Sequence, residues 1–167
     1  MKLTADIENM GFRLADTNEL DVDDYIRVKK IVYKKYIEEY FGEWNDEIEF
    51  NAFYGKRKLT FFKKLLLNNE IVGFLNYDQK EDKFNDISIH IIEKAQNKGI
   101  GTLFLLNLIE LAKEFGKPLF IEVVKSNPAQ NLYRRLGFEI YKEDDVFYFL
   151  RYINQKGSYD IYKKQQH

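Results

Sequence analysis

Gln96-Asn97-Lys98-Gly99-Ile100-Gly101 stands between a β-branched run, Ile87 to Ile92, and a long apolar segment, Ile100 to Phe115, and so reads as strand, glycine-rich turn, helix. Such a turn makes an anion site. The first backbone N–H groups of a helix have no partner inside it, and the helix dipole places partial positive charge there, so a phosphate satisfies both. Gly99 and Gly101 let a ligand approach the main chain. Two commoner nucleotide patterns are excluded: a dinucleotide turn needs a third glycine where Phe104 stands, and a P-loop needs Gly-Lys followed by Ser or Thr. A pyrophosphate held by another fold remains, with an ordinary turn and helix start as the alternative for this hexapeptide alone.

Working outward, Gly116-Lys117-Pro118 ends the helix, and Leu119 to Val124 is an almost wholly apolar strand of the kind buried on both faces. Asn127-Pro128 opens a further helix, with Asn as cap, Pro at its first position and Gly137 as stop. Phe138 to Tyr141 and Val146 to Tyr152 pair around Glu143-Asp144-Asp145. Upstream, Leu59 to Leu67, Ile71 to Tyr77 and Phe84 to Ile92 form a β meander with hairpins at Asn68-Asn69 and Asp78 to Lys83. Before it come a short strand at Phe12 to Leu14, an amphipathic helix over Asp21 to Tyr40, and a second helix over Asn45 to Phe53 capped by Asn45. The order β, α, α, β, β, β, α, β, α, β, β predicts an α/β fold with a mixed central sheet of about seven strands and about four helices. Sheets of this kind bind ligands at the carboxyl ends of their strands.

With 167 residues, 14 Phe and 12 Tyr, the chain suits one domain with an aromatic core, 1–152, followed by a polar tail, 153–167. A net charge of −1 gives no global field for a polyanion, so no nucleic-acid partner is expected. The absence of cysteine excludes disulfides, thiolate metal ligands and a thiol nucleophile. The opening residues carry no basic segment with an apolar stretch behind it, and no run of about 18 apolar residues occurs, so a cytoplasmic protein without membrane contact is the expectation.

Two motifs carry a family resemblance. Gln96-x-x-Gly99-x-Gly101 resembles the pyrophosphate loop of the GNAT superfamily of acyl-coenzyme A-dependent N-acetyltransferases, and Asn127-Pro128-Ala129-x-x-Leu132-Tyr133-x-x-x-Gly137-Phe138 resembles its later helix and strand. The two stand in the expected order of elements, and the resemblance runs from about Phe12 to Tyr152. Glu93 departs from the common pattern, where many relatives have proline, which bears on the local turn. The resemblance implies a GNAT-like sheet and acetyl-coenzyme A as co-substrate, with no metal. It assigns the N–H groups near Ile91 and Ile92, where the strand bulges and splays, to the acetyl carbonyl and pantetheine. It gives the N–H groups of Lys98, Gly99, Ile100, Gly101 and Thr102 to the pyrophosphate, counts Gln96 and Asn97 of the same loop as cofactor-binding, makes Tyr133 the acid for the leaving thiolate, and has Asn127 orient pantetheine or a water. A phenol donates a hydrogen bond at neutral pH without changing charge, which suits that role.

Each residue has a plainer reading. Tyr133 sits on an apolar helical stripe and reads also as a core tyrosine; Asn127 reads also as a cap. Glu122 interrupts an apolar strand, so it needs a partner, water or a proton, and is either a general base or a structural ion-pair member. His90 shares a face with Asp86 and Ser88 and either lines the acceptor pocket or is solvated. Trp44 covers the acceptor site or anchors the second helix. Lys29-Lys30, Lys34-Lys35, Lys56-Arg57-Lys58 and Lys63-Lys64 read as solvated faces. Glu43, Asp46, Glu47 and Glu49 suggest an acidic acceptor wall that gathers cations. The sequence thus points to direct acetyl transfer to a primary amine in a ternary complex, the acceptor a small molecule and the protein a monomer or homodimer. Acetylation of a protein N-terminus or lysine, a non-catalytic coenzyme A-binding module and a purely structural interaction domain are the alternatives.

Overall fold

Asn68 and Asn69, both with positive φ (49° and 69°), make the two-residue turn whose twist matches a hairpin. They join β2 (Phe61–Leu67) to β3 (Glu70–Gln79). In the computed structural model, which describes residues 1–154, these strands belong to a seven-stranded sheet of order β1-β2-β3-β4-β5-β7-β6. The others are β1 (Phe12–Asp16), β4 (Phe84–Ile91), β5 (Leu119–Val124), β6 (Glu139–Glu143) and β7 (Phe147–Tyr152). All neighbours are antiparallel except β4 and β5, which are parallel and joined through a crossover helix, α4 (Ile100–Phe115). The tail expected from residue 153 lies, beyond Asn154, outside the described residues.

Period-two alternation assigns the faces. Phe62 and Phe74 point to the side covered by α2 (Val22–Tyr40) and α3 (Asp46–Lys56), where Tyr25 packs on Phe53, Phe62 and Phe74 at ring distances of 5.4, 5.9 and 5.3 Å. Phe61 and Tyr77 stack at 4.9 Å on the other side, where α4 buries Phe104, Leu105, Leu108 and Ala112. α2 begins behind a capping box between Asn18 and Asp21, and Asp21 also accepts from Lys64 of β2 at 2.8 Å. α4 ends at Gly116 in the left-handed region, as its sequence predicts.

Three expectations change. A fifth helix, α1 (Ala5–Asn9), precedes β1; it is five residues long, has no side-chain cap and buries Ile7 alone. α3 runs to Lys56 rather than Phe53, which carries that lysine to the face of the sheet beside β4. The Asn127-Pro128 turn opens with i→i+3 bonds, and the helix proper, α5 (Gln130–Arg135), starts after it. Asn127 Oδ1 accepts from the Ala129 N–H at 2.9 Å and stabilises this turn.

Candidate functional site

β4 positions the site. Asn85 pairs with Asp78 and Ser88 with Asn76, so Asp86 and Ile87 together oppose Tyr77 in a β-bulge, with Asp86 at φ 51°. Asn76 is fully buried and holds the bulge, donating to the Asp86 carbonyl and accepting from Ser88 Oγ. The bulge therefore lies five residues earlier than the expected one at Ile91 and Ile92. β4 and β5 register only at Phe84 and Leu119 and part beyond that point. The Ile92 N–H bonds the Val72 carbonyl at 3.0 Å and the Ile92 carbonyl accepts from Ala95, so Ile92 has no backbone donor to offer a ligand, contrary to expectation. In the antiparallel ladder, Ile91 is then turned the other way, its N–H and C=O facing the open gap. Gln96 Nε2 occupies that carbonyl at 2.7 Å, which leaves the Ile91 N–H directed into the gap.

A 3₁₀ turn, Glu93–Ala95, stands where the family's proline would be, and Gln96, Asn97, Lys98 and Gly99 follow it as an exposed loop. Asn97 (φ 58°) and Gly99 (φ 81°) are both left-handed, which turns the chain into α4. No side chain caps α4 and its first turn carries no acid. A Cβ at Gly99 would meet nothing within 4 Å among the described residues, whereas one at Gly101 would touch Leu132 at 3.6 Å and Ile89 at 3.9 Å. Helix geometry leaves the N–H groups up to Thr102 without intrahelical partners, since the first α-helical bond runs from Leu103 to Gly99. An uncapped helix start, open space over a left-handed glycine and the adjacent Lys98 fit the pyrophosphate of coenzyme A.

On the α2/α3 face of the gap lies a cavity of about 510 Å³, walled by β4, β5, α2, α3, α5 and the β6–β7 hairpin. Tyr133, Glu122, His90 and Asn127 all line it; Trp44 does not. Tyr133 is 6% exposed and its hydroxyl makes no hydrogen bond among the described residues; burial pushes its pKa well above the ordinary tyrosine value, with a smaller push from Tyr33, so it is a protonated donor at neutral pH. Glu122 is exposed to the cavity and unpaired among the described residues, so the structural ion pair is not formed. His90 is 8% exposed rather than solvated, packs edge-on to Tyr33 at 5.8 Å, and leaves Nδ1 without a partner. Burial first, then Lys29 and Lys56, lower its pKa to about 3. Trp44 neither covers the cavity nor joins the core: it is half-exposed and donates Nε1 to Asp46 Oδ1 at 2.5 Å.

The acidic wall is not formed either. Glu43, Asp46, Glu47 and Glu49 do not line the cavity, and Glu49 is buried in an ion pair with Lys29 at 2.5 Å. Lys29, Lys56 and Asp86 line it instead, and Phe41, Tyr141, Phe147 and Phe149 form an aromatic rim in which Phe41 stacks on Phe147 at 5.8 Å while remaining 54% exposed. Asp86 and Ser88 line the cavity with His90, as the polar stripe of β4 suggests, whereas Lys29 and Lys56 escape sequence reading because a lysine on a charged helix shows inward orientation only when the neighbouring helix is known. The spacing of Lys29, Tyr33, Ile37 and Phe41 at intervals of four is the one signal available.

Comparison with known proteins agrees with this architecture. Residues 29–138 match the model of the acetyltransferase (GNAT) family. The chain is similar to the ribosomal protein bS18-alanine N-acetyltransferase of Haemophilus influenzae, 39% identical over 85 residues, a stretch that covers 50% of this chain and 57% of that relative. Its fold is similar to that of PaiA N-acetyltransferase from Thermoplasma acidophilum in complex with coenzyme A (TM-score 0.68, 18% identity, 87% of this chain and 100% of the other). It also resembles the ribosomal-protein-S18-alanine N-acetyltransferase from Escherichia coli (TM-score 0.63, 18% identity, 89% and 97%). The family match over more than half of the chain, joined to a glycine-started helix at the end of a strand that splays from its parallel neighbour, means that this chain belongs to the GNAT acetyltransferase family.

Proposed function

We propose that the protein transfers an acetyl group from acetyl-coenzyme A to the α-amine at a protein N-terminus, the amine attacking directly. The observation that carries the reading is the uncapped start of α4 beside the β4–β5 gap, with Tyr133 and Glu122 on the cavity behind it. When bound, the coenzyme supplies an activated thioester. The loop from Gln96 to Thr102 would hold its pyrophosphate through backbone N–H groups and Lys98, and the Ile91 N–H would donate to the acyl oxygen. Glu122 accepts a proton from the incoming ammonium, and the Tyr133 hydroxyl donates one to the departing sulfur. The sequence has no cysteine, so no thiol acyl-enzyme lies on the route.

A peptide acceptor is supported by the names of two similar proteins, both of which act on the alanine of a ribosomal protein, and by the exposed aromatic rim, which offers flat apolar contact to residues behind the amine. The small-molecule acceptor suggested by sequence is the second reading, favoured by the limited cavity volume. An acetyl-transfer screen with thiol release as readout separates them, using peptides with free amino termini beside polyamines, aminoglycosides and simple amines. Faster transfer to peptides, with the acetyl group found on the α-nitrogen by mass spectrometry, is the expected result; transfer to small amines alone overturns the peptide reading.

A further inference from the structure

The cavity is bipolar. From the helices, Lys29 and Lys56 face it; from the strands, Asp86 and Glu122 do. Lys29 is neutralised by Glu49, with side chains 14% and 6% exposed. Lys56 is different: it is half-buried and forms no ion pair or hydrogen bond among the described residues, nor do the Asp86 and Glu122 side chains. Burial acts on Lys56 first and Lys29 second to lower its pKa, against the opposite pull of Asp86, Glu49 and Glu122. Across the cavity His90 is buried on β4, and Lys56 is close enough to help lower its pKa. A half-buried ammonium facing a cavity without a partner among the described residues lacks an acceptor oxygen.

We propose that the cavity holds an anion subsite, in which Lys56 holds a carboxylate carried by the acceptor close to its amine, while Glu122 and Asp86 attract the ammonium end. The inference rests on the acetyltransferase reading and names its substrate class: in a peptide, an aspartate or glutamate next to the amino-terminal residue. His90, buried across the cavity, is uncharged at neutral pH, so Lys56 supplies the charge that the carboxylate meets. Lys29, engaged by Glu49, lends field without competing for the ligand.

The test uses matched acceptors that differ only in charge: Ala-Asp against Ala-Asn peptides, Ala-Glu against Ala-Gln, and β-alanine against its amide as the small-molecule arm. The acid member of each accepted pair should have a kcat/KM about tenfold or more higher, expressed chiefly in KM, which is the scale of one hydrogen-bonded charge. Lys56→Met should erase the preference, Lys56→Arg should retain it, and coenzyme A affinity by calorimetry should be the same in both. Lys56→Gln, which keeps a polar tip, repeats the test with less disturbance of packing. A wild-type protein indifferent to acid and amide, or an acid preference that survives Lys56→Met and Lys56→Gln, overturns the subsite alone. Absence of transfer to every acceptor overturns the acetyltransferase reading and the subsite with it.

Discussion

Tyr133 and His90 are both buried on the cavity wall, yet different physics makes each useful. The tyrosine hydroxyl has no protein partner among the described residues, so removing it leaves no orphaned group behind. Tyr133→Phe should therefore alter unfolding free energy by less than about 1 kcal/mol while lowering kcat roughly 10²-fold or more, with coenzyme A affinity retained. Steady-state kinetics beside urea titration check both halves; an unchanged kcat would return the residue to a packing role. His90 carries a pH dependence whose sign follows from its surroundings. Its folded pKa is about 3 against 6.5 for the free side chain, so between those values the unfolded chain binds a proton that the folded chain refuses. Stability is thus lost as pH falls below 6.5, approaching about 1.4 kcal/mol per pH unit. Between pH 7 and 5 the wild type should lose on the order of 1–2 kcal/mol more than His90→Gln. Equal losses would mean that Asp86 and Glu122 offset the burial of this ring.

The helix α4 can be tested as a unit through the glycine at its N-terminal cap. Gly99 has φ 81°, so any side chain there is strained by about 1 kcal/mol, and Gly99→Val would also fill the open space above the helix start. Acetyl-coenzyme A should raise the melting temperature of the wild type while ATP at the same concentration does not, and Gly99→Val should remain folded and lose the shift. Equal shifts from ATP would mean that the loop reads phosphate alone. The elements differ in how plainly sequence announces them. α4 declares its ends through Gly99 and Gly116, α3 begins at Asn45, whose side chain accepts from the Glu47 N–H at 2.8 Å, and the Asn68-Asn69 turn fixes a hairpin register; each depends on neighbours along the chain. α1 escapes notice because five residues without a side-chain cap carry no periodicity. The bulge at Asp86 is equally hidden, since Asn76 and Ser88 create it from two strands. The strand, turn and helix start around Gly99 were legible for the same reason as α4, whereas the bulge and the charge pattern of the site were not: Lys29 and Lys56 turn inward because α2 and α3 meet over β4.

Across the whole molecule, the single registered pair between β4 and β5 divides the sheet into two leaves, β1-β2-β3-β4 and β5-β7-β6. The first leaf supplies most of the core, with α2, α3 and α4 packed on its two faces, while Leu119, Ile121, Val123 and Leu150 of the second leaf join it. The second ends in β6, exposed at every residue. Two leaves joined at Phe84 and Leu119 behave as a book on one stitch, and their resistance to opening should differ. Hydrogen exchange in the free protein should show amides of β5, β7 and β6 released at lower free energy than those of β2 and β3, and acetyl-coenzyme A should narrow that difference by bridging the gap. Exchange of all seven strands at one energy, with or without ligand, would mean that the sheet opens as a single unit. On the expected outcome the missing rungs of the ladder do more than admit a ligand: the bound co-substrate lends the seam a cohesion that backbone pairing beyond Phe84 and Leu119 does not supply.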